Sequence, residues 1–224
     1  MRKNDHGEWA IGVDVGGTNL RAALVNRQGN VLSRKRGSTE AQTGPEAVIQ
    51  KIGALAKGLL REQNLAIPDL RGVGVGAPGP LDPKKGEIYY APNLSGWSHV
   101  PLKKLLETEL GGYVQVENDA NAAALAEYRF GAGRGTRSMV CLTLGTGVGG
   151  GIILRGKVWR GAAYAAGEIG HMTIERDGPL CGCGNRGCLE ALASASGLIS
   201  RVKRLIEKGE ASPRLRGLAD QGAD

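Results

Sequence analysis

Phenylalanine occurs once in this 224-residue chain, and aromatic residues together make up only 4% of it. Surfaces that hold nucleic acid interleave basic and aromatic side chains. The small basic knots at Arg34–Arg36 and Arg201–Arg204 have no aromatic residue among them. The net charge of +7 therefore reads first as a solvated surface, second as a preference for a small anion, and only third as a nucleic-acid footprint. Long apolar runs are missing too. No segment approaches the ~20 residues that span a bilayer, and the N-terminal stretch MRKNDHGEWAIGVDVGG lacks the apolar region of a secretory signal. A soluble, cytoplasmic protein is expected, with its four cysteines reduced rather than paired.

Glycine is what the chain has in excess, 37 residues against an average usage of about 7%. The glycines cluster in short runs, as turns that approach a ligand would require. Asp14, Gly16, Gly17, Thr18 and Asn19 form the first run, between two apolar segments. Backbone N–H groups freed of Cβ atoms can cradle phosphate there, although a plain hairpin turn accounts for the same residues. It is neither a Walker loop nor a dinucleotide fingerprint. The second run, Gly145, Thr146, Gly147, Val148, Gly149, Gly150 and Gly151, is richer than a hairpin needs and is read as a seven-residue phosphate turn.

Periodicity outlines the elements. Three short strands, Trp9–Val15, Leu20–Asn26 and Val31–Gly37, are expected to form an antiparallel meander. A helix with capping-box spacing at Thr43 and Glu46 follows, its face built from Val48, Ile49, Ile52, Leu55, Ala56, Leu59 and Leu60. Arg71–Ala77 reads as a buried strand, Leu102–Leu110 as a helix stopped by Gly111, and Tyr113–Glu117 as a strand entering an alanine-rich helix. Ser138–Leu144 and Ile152–Leu154 repeat the opening pattern of strand, glycine turn and strand. Two α/β lobes, 1–120 and 121–224, with a cleft between them are expected. A further helix spans about Ala191–Lys208, and the weakly patterned end beyond it is expected to fray. Cys141, in an apolar run, is expected to be buried and inert.

Two constellations carry chemistry. Asn118 and Asp119 stand at a strand–helix boundary, where either serves as an N-cap. Glu117 and Asn121 add more polar groups than capping needs, and a carboxylate there can take the proton of an attacking hydroxyl. An ordinary aspartate, with a pKa near 3.9, is ionised at neutral pH. The second constellation is His171, Cys181, Cys183 and Cys188, with Glu168 and Glu190 at its ends. Three thiolates and an imidazole at this spacing fit a closed, structural Zn²⁺ site. The flanking glutamates read as solvated charges or as pocket groups held by the metal loop.

These stretches together resemble the sugar kinases of the ROK family. The matches are DVGGTNLR (Asp14–Arg21), GAPGP (Gly76–Pro80), PNLSGW (Pro92–Trp97), ENDANAAALAE (Glu117–Glu127), LGTGVGGG (Leu144–Gly151), EIGHM (Glu168–Met172) and CGCGNRGCLE (Cys181–Glu190), in family order. Bacterial glucokinases are the members the chain is most similar to. The resemblance implies an actin-like ATPase, ribonuclease-H-like duplicated fold with a central cleft. ATP would lie along Gly16–Thr18 and Gly145–Gly150, with Asp14 near Mg²⁺, and Asp119 would be the catalytic base for the sugar 6-hydroxyl. Asn93, Asn118, Glu168, His171 and Glu190 would bind the sugar, and a complete protein would be a dimer or tetramer. Family members continue further, so the second lobe is expected to be incomplete and to leave an apolar patch exposed. Rival substrates are N-acetylmannosamine, N-acetylglucosamine, mannose and allose. A sugar-responsive repressor of the same family would need a DNA-binding segment before the first strand, where only Met1–Glu8 stand.

Overall fold

In the computed structural model, residues 8–91 and 93–220 are described. Strands β1 (Trp9–Val15), β2 (Asn19–Asn26) and β3 (Val31–Ser38) form the expected meander. The helix α1 (Pro45–Glu62) returns the chain to β4 (Leu70–Ala77), which lies parallel to β1. A small antiparallel sheet follows, made of β5 (Leu81–Asp82), β6 (Glu87–Tyr90) and β7 (Ser98–Val100). Helix α2 (Leu102–Leu110) then leads to β8 (Val114–Asn118), parallel to β4. The main sheet has the order β3-β2-β1-β4-β8. The meander makes the antiparallel half, and helical crossovers make the parallel half.

The core lies on this sheet. Ile11, Val13, Leu20, Leu24, Val73, Val75, Val114 and Val116 alternate inward along the strands. Helix α1 covers them with Val48, Ile49, Ile52, Ala56, Leu59 and Leu60, the face expected from the sequence, with Leu55 only partly buried. The expected capping box is absent. Gly44 is the cap residue and makes no side-chain bond to the helix, while the Thr43 hydroxyl donates to Glu40 O instead. Pro45 at the first turn needs no N–H partner, which makes the box dispensable.

Helix α3 (Asp119–Phe130) starts where β8 ends and packs on a second sheet of β9 (Ser138–Leu144), β10 (Val148–Leu154) and β11 (Lys157–Val158), ordered β11-β10-β9. The second glycine run is mostly strand, not turn. Only Gly145, Thr146 and Gly147 connect β9 to β10, and Gly149–Gly151 pair with Thr143, Leu142 and Cys141. Their lack of side chains serves protein packing. A Cβ on Gly149 would lie 2.9 Å from Ala120 Cβ, one on Gly151 would overlap Ala124, and one on Gly150 would lie 2.5 Å from Gly167 O. Cys141 is half-buried rather than buried, because β9 is an edge strand in a three-stranded sheet. Val140, Leu142 and Leu144 present the expected apolar face, 61%, 46% and 71% exposed.

A one-turn helix at Ile169–His171 opens the cysteine loop. The expected terminal helix is broken into α4 (Leu189–Ala193) and α5 (Ala195–Glu207) by the buried cap Ser194. Beyond it a further helix, α6 (Pro213–Asp220), forms where fraying was expected, Pro213 again starting the turn. No described helix is long and apolar enough to cross a membrane.

Candidate active site and metal centre

The strand ends of the main sheet converge on Asp119. Gly76, at the end of β4, packs against Asp119, since a Cβ placed on it would lie 3.5 Å from Asp119 Cα, an ordinary contact distance. Asn118 caps α3, its Oδ1 accepting the Asn121 N–H at 3.1 Å, which leaves Asp119 free of that task. Asp119 Oδ1 accepts the Ala120 N–H at 2.8 Å. Partial burial is the largest influence on this carboxyl and raises its pKa above the ordinary value, with the Asp14 charge adding to the rise and the Ala120 N–H opposing it. Asp119 is thus a more willing proton acceptor than the unperturbed group expected from sequence.

Beside it, next to Asn118 rather than Asp119 itself, a shallow polar cleft is lined by Glu117, Asn118, Asn121, Arg160, Tyr164 and Glu168, with Gly79, Leu81 and Gly150 among the walls. Arg160 donates to Glu117 Oε2 through Nε at 2.9 Å and also through Nη2. The other Glu117 oxygen accepts the Asn118 N–H at 3.1 Å and Asn121 Nδ2 at 3.4 Å. Asn121 Oδ1 is buried without a partner among the described residues, an acceptor left open beside the cleft. Arg160 and Tyr164 come from a loop with no periodicity or motif, so the sequence offered no signal for them.

The glycine turn at Gly16–Thr18 is closed by Gly16 N–H donating to Asn19 O at 3.0 Å. Thr39, fully buried, braces it: its hydroxyl donates to Gly16 O at 2.6 Å and its N–H to Thr18 O at 2.9 Å. Asn19 is employed otherwise than expected, since its Oδ1 accepts both Arg36 Nε and Nη2, at 3.1 and 2.9 Å. Asp14 is exposed and pairs with Arg21 at 3.5 Å. Asn93 is exposed and packs on the first turn, its Cβ lying 3.2 Å from where a Gly17 Cβ would be. Its motif neighbour Pro92 lies outside the described residues, as does the stretch 1–7.

His171, Cys181, Cys183 and Cys188 do meet. One ligand atom from each lies within 4.8 Å of all the others. Cys183 and Cys188 sulfurs are 3.8 Å apart, the edge of a tetrahedron with Zn–S bonds of ~2.3 Å. His171 turns Nδ1 to the sulfurs, 3.7 Å from Cys181 Sγ, and Nε2 toward Glu168 Oε2 at 3.9 Å. Burial pushes the Cys181 thiol up to about 12 and also raises Cys188, whereas the Asn185 N–H lowers Cys183. Three such thiols cannot all ionise together unaided, and a bound cation reverses that preference. Glu190 does not line the cleft. Its Oε2 accepts the Val148 N–H at 3.0 Å and its Oε1 lies 3.6 Å from Cys181 Sγ. The structure therefore brings Asn118 and Glu168 together at the cleft with His171 behind, while Asn93 and Glu190 stand apart against the two glycine turns.

The profile of the ROK family matches residues 10–221. The chain belongs to the ROK family. The chain is 43% identical over 194 residues to a glucokinase of Streptomyces coelicolor, covering 87% of this chain and 59% of that relative. It also matches the crystal structure of a ROK family glucokinase from Streptomyces griseus in complex with glucose and AMPPNP at 42% identity, with a TM-score of 0.77, covering 89% of this chain and 62% of that one. A xylose repressor of Caldicellulosiruptor bescii is 34% identical over 199 residues, 89% of this chain and 50% of the repressor. This ROK chain thus spans roughly three-fifths of the length of the glucokinases it matches. Its fold is the actin-like ATPase fold expected from the sequence, an α/β architecture with duplicated strand–turn–strand openings.

Proposed function

We propose that this chain carries the sugar-binding cleft and catalytic base of an ATP-dependent hexose kinase, with glucose, phosphorylated at its 6-hydroxyl, as the first candidate substrate. One observation carries the reading: a desolvated aspartate, Asp119, stands at the convergence of the strand ends beside a polar cleft. Such a carboxylate orients the hydroxyl and accepts its proton as the new P–O bond forms and the bond to ADP breaks. The rest of the work in phosphoryl transfer is positioning and charge neutralisation. The backbone of Gly16–Thr18 and Gly145–Gly147 would hold the phosphates of ATP, and Asp14 would hold Mg²⁺, which supplies positive charge to the transferring group. Gly149 and Gly150 take a smaller part, since packing explains their lack of side chains.

Asn118 and Glu168 offer paired polar groups for sugar hydroxyls, with His171 Nε2 3.9 Å from Glu168 Oε2, while Asn93 and Glu190 would reach a sugar only from outside this cleft. A hydroxyl whose hydrogen bonds are all met is bound selectively, because a buried group left unpaired costs about 1–3 kcal/mol. Zn²⁺ held by His171, Cys181, Cys183 and Cys188 would fix the loop that bears Glu168 and Glu190. Support comes from the glucose and AMPPNP complex of the relative in Streptomyces griseus.

Titration calorimetry with glucose, N-acetylmannosamine, N-acetylglucosamine, mannose and allose, paired with an ADP-release assay in Mg²⁺, tests the reading. Glucose heat that disappears in Glu168→Ala, with glucose-dependent ADP release, supports it. Glucose heat without ATP heat or ADP release makes the chain a sugar-binding protein. No heat with any hexose removes the proposal.

A further inference from the structure

Apart from its own Gly145 N–H to Gly147 O bond at 3.0 Å, the turn at Gly145–Gly147 is held, among the described residues, from one later segment, the ten residues that start at Cys188. The Ala195 N–H donates to Gly145 O at 3.0 Å. The Ser196 hydroxyl donates to Thr146 O at 2.6 Å. Glu190 Oε2 accepts the Val148 N–H at 3.0 Å, at the first residue after the turn. Ser194, almost fully buried, sets the direction of this chain of bonds. Its Oγ accepts the Gly197 N–H at 3.0 Å and lies 3.0 Å from Ser196 Oγ, so its own proton goes to Ser196 and the Ser196 proton goes to the turn.

The same segment is anchored in the cysteine cluster. Cys188 is the cap residue of α4 and one of the four converging ligands. The free oxygen of Glu190, Oε1, lies 3.6 Å from Cys181 Sγ and 4.0 Å from His171 Nδ1. One carboxylate thus touches the cluster with one oxygen and the turn with the other. The first glycine turn has a different brace, Thr39, which directly follows the last residue of β3 in its own sheet. The counterpart of β3 in the second sheet is β11, only two residues long and paired with Ile153 and Leu154 at the far end of β10. Among the described residues, the second sheet has no counterpart of Thr39 at the end of its own outer strand.

We propose that residues 188–197 form a strap through which occupancy of the His171/Cys181/Cys183/Cys188 cluster sets the order of the Gly145–Gly147 turn, with Ser196 as a positioning residue. The consequence for phosphate binding rests on the reading of that turn as a phosphate cradle. A cation on Cys188 fixes the start of α4, and with it the backbone of the segment that carries Glu190, Ser194 and Ser196. Without it, the strap keeps its covalent path but loses its anchor, and the turn amides open more often. The metal loop then serves both sides of the reaction, the sugar through Glu168 and His171 and the phosphates through Glu190 and Ser196.

Hydrogen–deuterium exchange on the 224-residue chain, loaded with Zn²⁺ and then stripped with a chelator, decides the matter. Removal of Zn²⁺ should speed exchange across 144–149 by roughly tenfold, the loss of one or two hydrogen bonds, with 14–20 unchanged as the internal reference. In the Zn²⁺-loaded chain, Ser196→Ala should speed exchange across 144–149 while metal analysis still finds one zinc per chain. Unchanged exchange at 144–149 after zinc removal, with 172–188 opened, overturns the strap; unchanged exchange in Ser196→Ala overturns the role of Ser196. AMPPNP titration separates this from the reading beneath it. Faster exchange with undiminished AMPPNP affinity leaves the strap standing and removes the phosphate role of the turn.

Discussion

The two sheets begin alike and end differently. Each opens with a strand, a glycine turn and an antiparallel return: β1 and β2 around Gly16–Thr18, β9 and β10 around Gly145–Gly147. In the first, β1 gains parallel neighbours β4 and β8 on its other side and its inner face is fully buried under α1. In the second, β9 is an edge strand among the described residues, and Val140, Leu142 and Leu144 face outward. The strand–turn–strand unit therefore does not stabilise itself. The first turn is braced by a threonine at the end of β3 in its own sheet, while the second is held by a segment from outside its sheet and by the small residues of α3 that fit against Gly149 and Gly151.

The sharpest way to probe the seam between the sheets is Asp119. Replacing it by alanine should lower hexose-dependent turnover by about 10²–10⁴-fold, the usual worth of a positioned base, with glucose affinity by calorimetry little changed. Turnover near normal would move the base elsewhere. The pH dependence carries the same assignment. Because burial raises its folded-state pKa, the acid limb of the rate profile should lie above that of an ordinary aspartate. The native state then binds more protons than the unfolded chain between the ordinary and the raised value, so stability falls as pH rises through that window. Asp119→Asn should therefore raise Tm at neutral pH, with the gain vanishing below the ordinary carboxylate range.

The unequal covering of the two sheets predicts unequal costs. Leu24→Ala, fully buried in β2, should cost about 2–5 kcal/mol, and Leu142→Ala on β9 no more than about 0.5 kcal/mol, both by urea denaturation. A large cost at Leu142 would show that its face is covered in solution. Glycine gives a smaller contrast. Gly151→Ala, pressed on Ala124, should cost about 1–3 kcal/mol through overpacking. Gly12→Ala, with nothing within 4 Å, should be neutral or gain up to about 1 kcal/mol. Equal outcomes for the two glycines would dissolve the packing account of the second glycine run.

The order of elements in the first sheet was readable from the chain because burial there repeats with the period of the element. Val48, Ile49, Ile52 and Leu59 spell a helix face, and Val73 and Val75 spell a strand. The four metal-cluster residues were readable for a different reason, since their spacing alone keeps them within reach of one another. The short strands β5–β7 were not, being too brief to show a period. Gly149–Gly151 were read as turn and lie in β10, because a glycine that makes a turn and a glycine that admits a neighbouring helix look the same in sequence. Thr39, Arg160 and Ser196 were silent, since each acts on a residue at least 23 positions away.

By itself the sequence determined the family, the α/β class and the meeting of the four cluster residues, because motif, period and close spacing are local properties. The tertiary structure alone decided what each group faces. It buried Asp119 enough to raise its pKa, paired Glu117 with Arg160, and turned Glu190 away from the cleft and onto Val148. Desolvation and hydrogen-bond partnership are fixed by residues far along the chain, so no local pattern could have stated them.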